Sequence, residues 1–227
     1  MDVLEKIISH SIQFFYEITL AIGLPSYGFA IIVFTIAIKL LLIPLTIKQV
    51  KGMKIMQELQ PKVQEIQKKY KNDKQKAQQL IMELYKEHNA NPFSGCWPLL
   101  VQMPILFALF RSLRVFFDPV LAPAYVNLEH AGFLWIPNLG NPDHLYILPV
   151  LVVAGTFLQQ KITMGATLEQ NPNQKLPLYL MPLFIGWISM TFPAALALYW
   201  LMYSVVGIAE HRFIRRPLTA KEEVKKK

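Results

Sequence analysis

A single lysine stands near the middle of an almost unbroken apolar run. The run, YGFAIIVFTIAIKLLLIPLT from Tyr27 to Thr46, is about as long as a ~30 Å hydrocarbon core requires, and Lys39 is its only charge. At ~1.5 Å per residue the lysine lies about 18 Å from Tyr27 and about 10 Å from Thr46, beyond comfortable snorkelling. A charge at such depth costs at least ~2.5–3.5 kcal/mol on insertion scales, which points to a function. Aligning the apolar runs by depth puts Thr35 one turn before it, with Gln102, Thr156, Gln159, Gln160, Trp200, Tyr203 and Ser204 on the other runs. No Asp or Glu interrupts those runs before Glu210, at the very end of the last. Lys39 is therefore expected to face a hydrated pocket lined by amides, hydroxyls and a tryptophan edge, where any anion comes from outside the chain. Plainer roles exist for each lining residue. The glutamines could bond neighbouring helices, Thr35 its own backbone, and Trp200 could be a packing aromatic.

Stepping outward from these residues, the chain has 227 residues, 53% of them hydrophobic and only 17% charged. Apolar runs of this length have nowhere to go in a soluble domain of this size, so a polytopic all-α membrane protein is expected. One cysteine, Cys96, excludes an internal disulfide. No HExxH, CxxC or GxxxxGK[ST] motif appears, and the apolar runs hold neither a Ser–His pair nor two aspartates. An enzyme, a metal and a nucleotide cofactor all lack support, and no cofactor is expected. The first residues lack a basic n-region and a small-residue cleavage site, so no signal peptide is expected in this numbering.

Residues 1–24 read as an extracytoplasmic amphipathic interfacial helix. Leu4, Ile7, Ile8, Ile12, Phe15 and Ile18 form one face; Glu5, Ser9, Gln13 and Glu17 form the other. A collar packed on the bundle is the alternative. Transmembrane helices are expected at 27–47, 95–114, 145–161, 176–190 and 194–210, with a turn-rich entry, NPFSGCWP, leading into the second. Between the first two lies a Lys-rich segment, 48–89, in which Met56, Leu59, Val63, Ile66 and Tyr70 make an a/d seam. Ala77, Leu80 or Ile81, Leu84 and His88 continue a similar stripe beyond Lys71–Asn72–Asp73, predicting an antiparallel helical hairpin. Pro61 is expected to kink or interrupt its first helix. An aromatic-rich loop (115–144), a polar connection (162–175) and a basic tail (211–227) complete the chain.

Charge sets the orientation. The hairpin's ten lysines against five acids leave +5, and the tail from Glu210 is +4, whereas the stretch through Tyr27 is −2 and the loop from Arg111 to His144 is −1. The positive-inside rule then places hairpin and tail in the cytoplasm and the amino terminus outside. Arg111 and Arg114 lie on the disfavoured side but are outvoted.

Several stretches together, IIVFTIAIKLLLIPL, KIMQELQPKVQEIQKKYKND, NPFSGCWPLLVQMPILFALFRSL, TFLQQK and FPAALALYW, carry a resemblance. In order and spacing, over essentially the whole chain, they resemble the YidC-type membrane protein insertases, in the short Gram-positive form. The resemblance implies a bacterial plasma membrane protein with a positively charged groove, open to cytoplasm and lipid, that receives the polar segment of a client membrane protein. It places client-binding groove residues at Lys39, Gln102 and Trp200, with Gln159 a further match. The fuller candidate set adds Thr35, Thr156, Tyr203 and Ser204. Family members typically carry arginine where this chain has Lys39, which keeps the charge but loses the planar fork. The resemblance also implies membrane lipids, the Sec translocon and translating ribosomes as partners, with no small-molecule substrate and no DNA. A small proton- or solute-translocating protein using Lys39 is the rival reading; it wants an intramembrane acid or an inverted repeat, and the sequence offers neither.

Overall fold

The structure, a computed structural model, describes residues 3–91, 97–170 and 175–215. The described chain is helical: α1 (Val3–Ala21), α2 (Tyr27–Leu41), α3 (Ile43–Lys69), α4 (Lys74–Glu87), α5 (Trp97–Phe116), α6 (Ile147–Gln170), α7 (Lys175–Ser189) and α8 (Ala194–Glu210). A π-helical turn, His211–Arg215, continues α8. Most of the turn-rich entry before α5, Cys96 included, and the tail beyond Arg215 lie outside the described residues.

The expected first span breaks where its sequence demands it. Ser26 caps α2, its hydroxyl accepting from the Gly28 amide at 3.2 Å. At the other end Pro44 has no amide to donate, and its ring crowds the carbonyl of Leu40, four residues back. The ladder therefore stops at Leu42, whose amide still bonds the Ile38 carbonyl at 3.0 Å, and α3 starts immediately afterwards. A helix expected over 27–47 is thus two helices, and the one leading to the hairpin turn starts at Ile43 rather than near Lys48. The consequence for Lys39 is direct: it sits in the last turn of α2, beside that helix's negative end.

Pro61 does not interrupt α3, which runs helically through it. Leu59 and Val63 on α3, and Ala77 and Ile81 on α4, are the buried members of the predicted seam. The two helices fold back on each other across Tyr70–Asp73, where Asp73 caps α4 by accepting from the Lys76 amide at 3.0 Å. The polar connection expected at 162–175 is helical as far as Gln170, the end of α6.

One end of the bundle is closed by the segment 117–146. Its Asp143 is buried and fully engaged, accepting from the Leu145 amide (3.1 Å), the Leu148 amide (2.7 Å) and the Trp135 indole (3.2 Å). Helix α8 begins here without a side-chain cap. Instead its first two amides donate to loop carbonyls, Ala194 to Asn141 (2.8 Å) and Ala195 to Leu139 (2.9 Å). The following residues, through Tyr199, are all buried. Beneath the loop, Tyr27 stacks on Tyr16 at 4.1 Å between centroids and meets Phe116 and Phe117 edge-on. Such aromatic pairs contribute ~0.5–1.5 kcal/mol beyond their burial. Gly28 is needed for this closure, since a Cβ there would lie 2.0 Å from the Phe133 ring.

Helix α1 packs with its faces turned against expectation. It buries Glu5, Ile8, Ser9, Ile12, Tyr16 and Thr19 while leaving Leu4, Ile7 and Ile18 exposed. Two residues assigned to the polar, outward face therefore point into the bundle. The reason lies on α5. Arg111 Nε meets Glu5 Oε1 at 3.1 Å, and the Ser112 and Ser9 hydroxyls are 2.8 Å apart. Glu5 and Ser9 find partners inside beside Ile8 and Ile12, while Leu4, Ile7 and Ile18 are left for the surroundings.

Among the described residues one helix, Ala194–Phe213, is long and apolar enough to cross a membrane by length and composition; three apolar helices, Tyr27–Leu41, Ile147–Thr163 and Leu176–Ser189, are shorter.

Candidate functional site

Helices α2 and α8 both start at the loop-closed end and run away from it side by side. Lys39 is twelve residues into α2 from Tyr27, and Glu210 is sixteen into α8 from Ala194, so their far ends meet. There Lys39 Nζ donates to Glu210 Oε2 at 3.0 Å, with side-chain exposures of 6% and 7%. The expectation that no carboxylate of the chain reaches Lys39 is overturned by this contact. It failed because the lysine was placed in the middle of a long helix, whereas Pro44 ends that helix two residues beyond it and brings it level with the end of α8.

The ammonium also lies over the Tyr203 ring, 3.7 Å from its centroid. A cation on an aromatic face gains ~2 kcal/mol when desolvated. Tyr203 and Glu210 are seven residues apart, two helical turns, and so share a face of α8. One oxygen of the carboxylate, Oε1, is buried without a hydrogen-bond partner among the described residues.

The remaining candidates arrange themselves along α8. Ser204 is buried, with its hydroxyl 3.5 Å from that of Thr156 on α6. Gln159, one turn further along α6, packs where α8 has no side chain: a Cβ on Gly207 would lie 2.1 Å from its Nε2. Gln102 on α5 donates to the Tyr199 hydroxyl at 3.0 Å, nearer the loop-closed end. Gln160 and Trp200 are half-buried, and Trp200 packs against the apolar core. Thr35 is fully buried and its hydroxyl donates to the Ile31 carbonyl at 2.6 Å, so it serves its own helix. Lys39 and Tyr203 are thus joined directly and Thr156 meets Ser204, while Gln102 and Thr35 spend their polar atoms elsewhere. Sequence reasoning missed Glu210 as a member and Gly207 as the space that admits Gln159. A signal for the first existed in the only acid of the last apolar run.

A model of the 60Kd inner membrane protein family matches residues 18–222. The chain belongs to that family. Its relatives among curated proteins carry insertase names. The membrane protein insertase YidC of Oceanobacillus iheyensis is 44% identical over 206 residues, covering 86% of this chain and 77% of the relative. That of Geotalea daltonii is 39% identical over 220 residues, 96% of this chain but 38% of the relative. The Listeria monocytogenes membrane protein insertase YidC 1 is 43% identical over 202 residues, 87% of this chain and 67% of the relative. Among solved structures, the chain resembles an active YidC insertase with its first transmembrane domain resolved, at a TM-score of 0.72. The match covers 94% of this chain and 47% of that one at 23% identity, a likeness of fold. Helix α1 precedes most of the stretch that the family model covers, whereas Lys39, Tyr203 and Glu210 lie within it.

Proposed function

We propose that this member of the 60Kd inner membrane protein family is a bacterial membrane protein insertase rather than an enzyme. It receives the polar segment of a client beside Lys39 while the client's apolar helix passes into lipid. The observation that carries the reading is a lysine buried between α2 and α8, paired with Glu210 and lying over the Tyr203 ring, with further polar side chains along the α6–α8 contact. The insertase names of the relatives support it. Polar groups at such a place lower the cost of drawing a carboxylate out of water. Burial of the client's apolar span, at ~25 cal/mol per Å², supplies tens of kcal/mol to drive release.

In this reading α2, α5, α6, α7 and α8 are five membrane-spanning segments, and α3–α4 is a cytoplasmic hairpin with the basic tail on the same side. The loop end and α1 face outward. Exposed Leu176, Leu183, Phe184 and Trp187 on α7 support lipid on that flank, because a patch of that size is unusual against water. Client membrane proteins and lipids are the primary partners; the Sec translocon and the ribosome are further ones. The Lys39–Glu210 pair does supply the acid that a proton translocator would want, yet the relatives compared are named for insertion.

The test uses purified protein in liposomes and a single-span client with an acidic amino-terminal tail. Lys39→Arg is expected to keep insertion and Lys39→Ala to lose it. Full insertion by Lys39→Ala would sink the reading.

A further inference from the structure

Lys39 is already paired within the chain. We infer that Glu210 is a specificity-determining residue: a built-in carboxylate that an incoming acidic segment must displace from Lys39. The inference rests on the reading of this pocket as the client's site.

Three observations carry it. Glu210 Oε2 takes the position on Nζ, at 3.0 Å, that an external carboxylate would need. Its hold is one-sided, since Oε1 is buried without a hydrogen-bond partner among the described residues. A carboxylate satisfied through both oxygens would cost more to displace; here Oε1 adds no hydrogen bond to what holds Glu210 in place. Finally, the α-helical ladder gives way to a π turn immediately after Glu210, and α3 packs against that turn. Such turns often mark functional positions in helices. Helix α3 itself begins four residues after Lys39. Both partners of the ion pair are therefore tied to elements that touch each other, so movement of the α3–α4 unit acts on the pair from both sides.

Exchange has a consequence for selectivity. A tethered competitor has an effective concentration of ~mM or higher, so a weakly held acidic group does not open the pair. A segment bearing several carboxylates, delivered next to an apolar helix that is leaving water, does. Neutral polar tails carry no charge to pair with the lysine, so they neither displace Glu210 nor gain from its removal. Glu210 thereby sets the acidity that a client segment must exceed before Lys39 favours it.

Two clients differing only in the tail, three aspartates or three asparagines, measure this in liposomes. The quantity read is the ratio of acidic-tail to neutral-tail insertion. Glu210→Gln removes the competitor and is expected to raise that ratio about fivefold or more, the low end for coupled ligands. Glu210→Asp keeps the charge but shortens the reach by one methylene, and its ratio is expected between those of parent and Gln variant. An unchanged or lower ratio in Glu210→Gln, with insertion intact, overturns the proposal. If the Gln variant inserts neither client, the Asp variant decides: a ratio above the parent's supports exchange, and one at or below it overturns exchange. Failure of the underlying reading shows separately, as Lys39→Ala inserting both clients like the parent.

Discussion

The ion pairs Lys39–Glu210 and Arg111–Glu5 look alike on paper and differ in which partner is wet. In the first both side chains are buried. In the second Glu5 is 3% exposed and Arg111 64%. Each leaves one carboxylate oxygen buried and unbonded, Glu210 Oε1 and Glu5 Oε2. Water around Arg111 screens its pair and keeps the guanidinium solvated whether or not Glu5 is present. No such relief is available to Lys39. The dry pair is poised, because any change at one partner is felt in full by the other. The half-wet pair is a fastener that holds α1 to α5.

The largest effect is expected from breaking the dry pair. Lys39→Ala strands a buried carboxylate and should destabilise the protein by ~3–5 kcal/mol, read as a lowered melting temperature in detergent. The double substitution Lys39→Met with Glu210→Leu should recover most of that stability, since apolar replacements of buried pairs are often neutral or stabilising. It should nevertheless leave insertion lost. Recovery of both together would show that charge in the pocket is dispensable. At the other pair the order of effects should be unequal. Arg111→Ala leaves Glu5 buried and alone and should cost ~1–3 kcal/mol, whereas Glu5→Gln leaves only an exposed arginine and should cost less. Proteolysis of the α1 segment reads this difference, and equal sensitivity in the two variants would contradict the asymmetry.

A smaller effect is expected at Gly207→Ala, because the new methyl meets the mobile end of Gln159 rather than backbone. A loss of about 1 kcal/mol, with reduced client cross-linking at position 159, is the expected result. The smallest belongs to the serine pair. Ser9→Ala or Ser112→Ala alone should cost ~1 kcal/mol, while the double variant should be closer to the parent, because removing both partners leaves nothing unsatisfied. Additive losses in a double-mutant cycle would remove the Ser9–Ser112 bond from the account.

Much of the helical plan was legible in the residues. The stretch Ala194–Glu210 reads as one helix because it is apolar throughout and follows a proline. The hairpin seam reads from its 3,4 spacing, whose buried members are Leu59, Val63, Ala77 and Ile81. Lys39 stands out by its isolation, and Tyr203 and Ser204 by their polar groups inside the last apolar run. What was not legible depends on partners far away in sequence. The inward turn of Glu5 and Ser9 needs Arg111 and Ser112, more than a hundred residues on, and periodicity within one helix cannot register them. Glu210 looked terminal because the depth of Lys39 was measured along an apolar run rather than along a helix that Pro44 cuts short. Pro61 shows the converse error: a helix already begun on both sides absorbs a missing amide bond, at a cost that packing on α4 offsets.

A protein that keeps polar groups inside a bilayer also risks becoming an ion leak. Here the loop-closed end is tied by the amides of Ala194 and Ala195 on the carbonyls of Asn141 and Leu139, so that closure is made of main chain. Side-chain replacement at Asn141 or Leu139, the acceptors, leaves those carbonyls in place. The electrical tightness of the membrane around this protein should accordingly be insensitive to point changes at Asn141 or Leu139 that leave the pocket around Lys39 altered in nothing else.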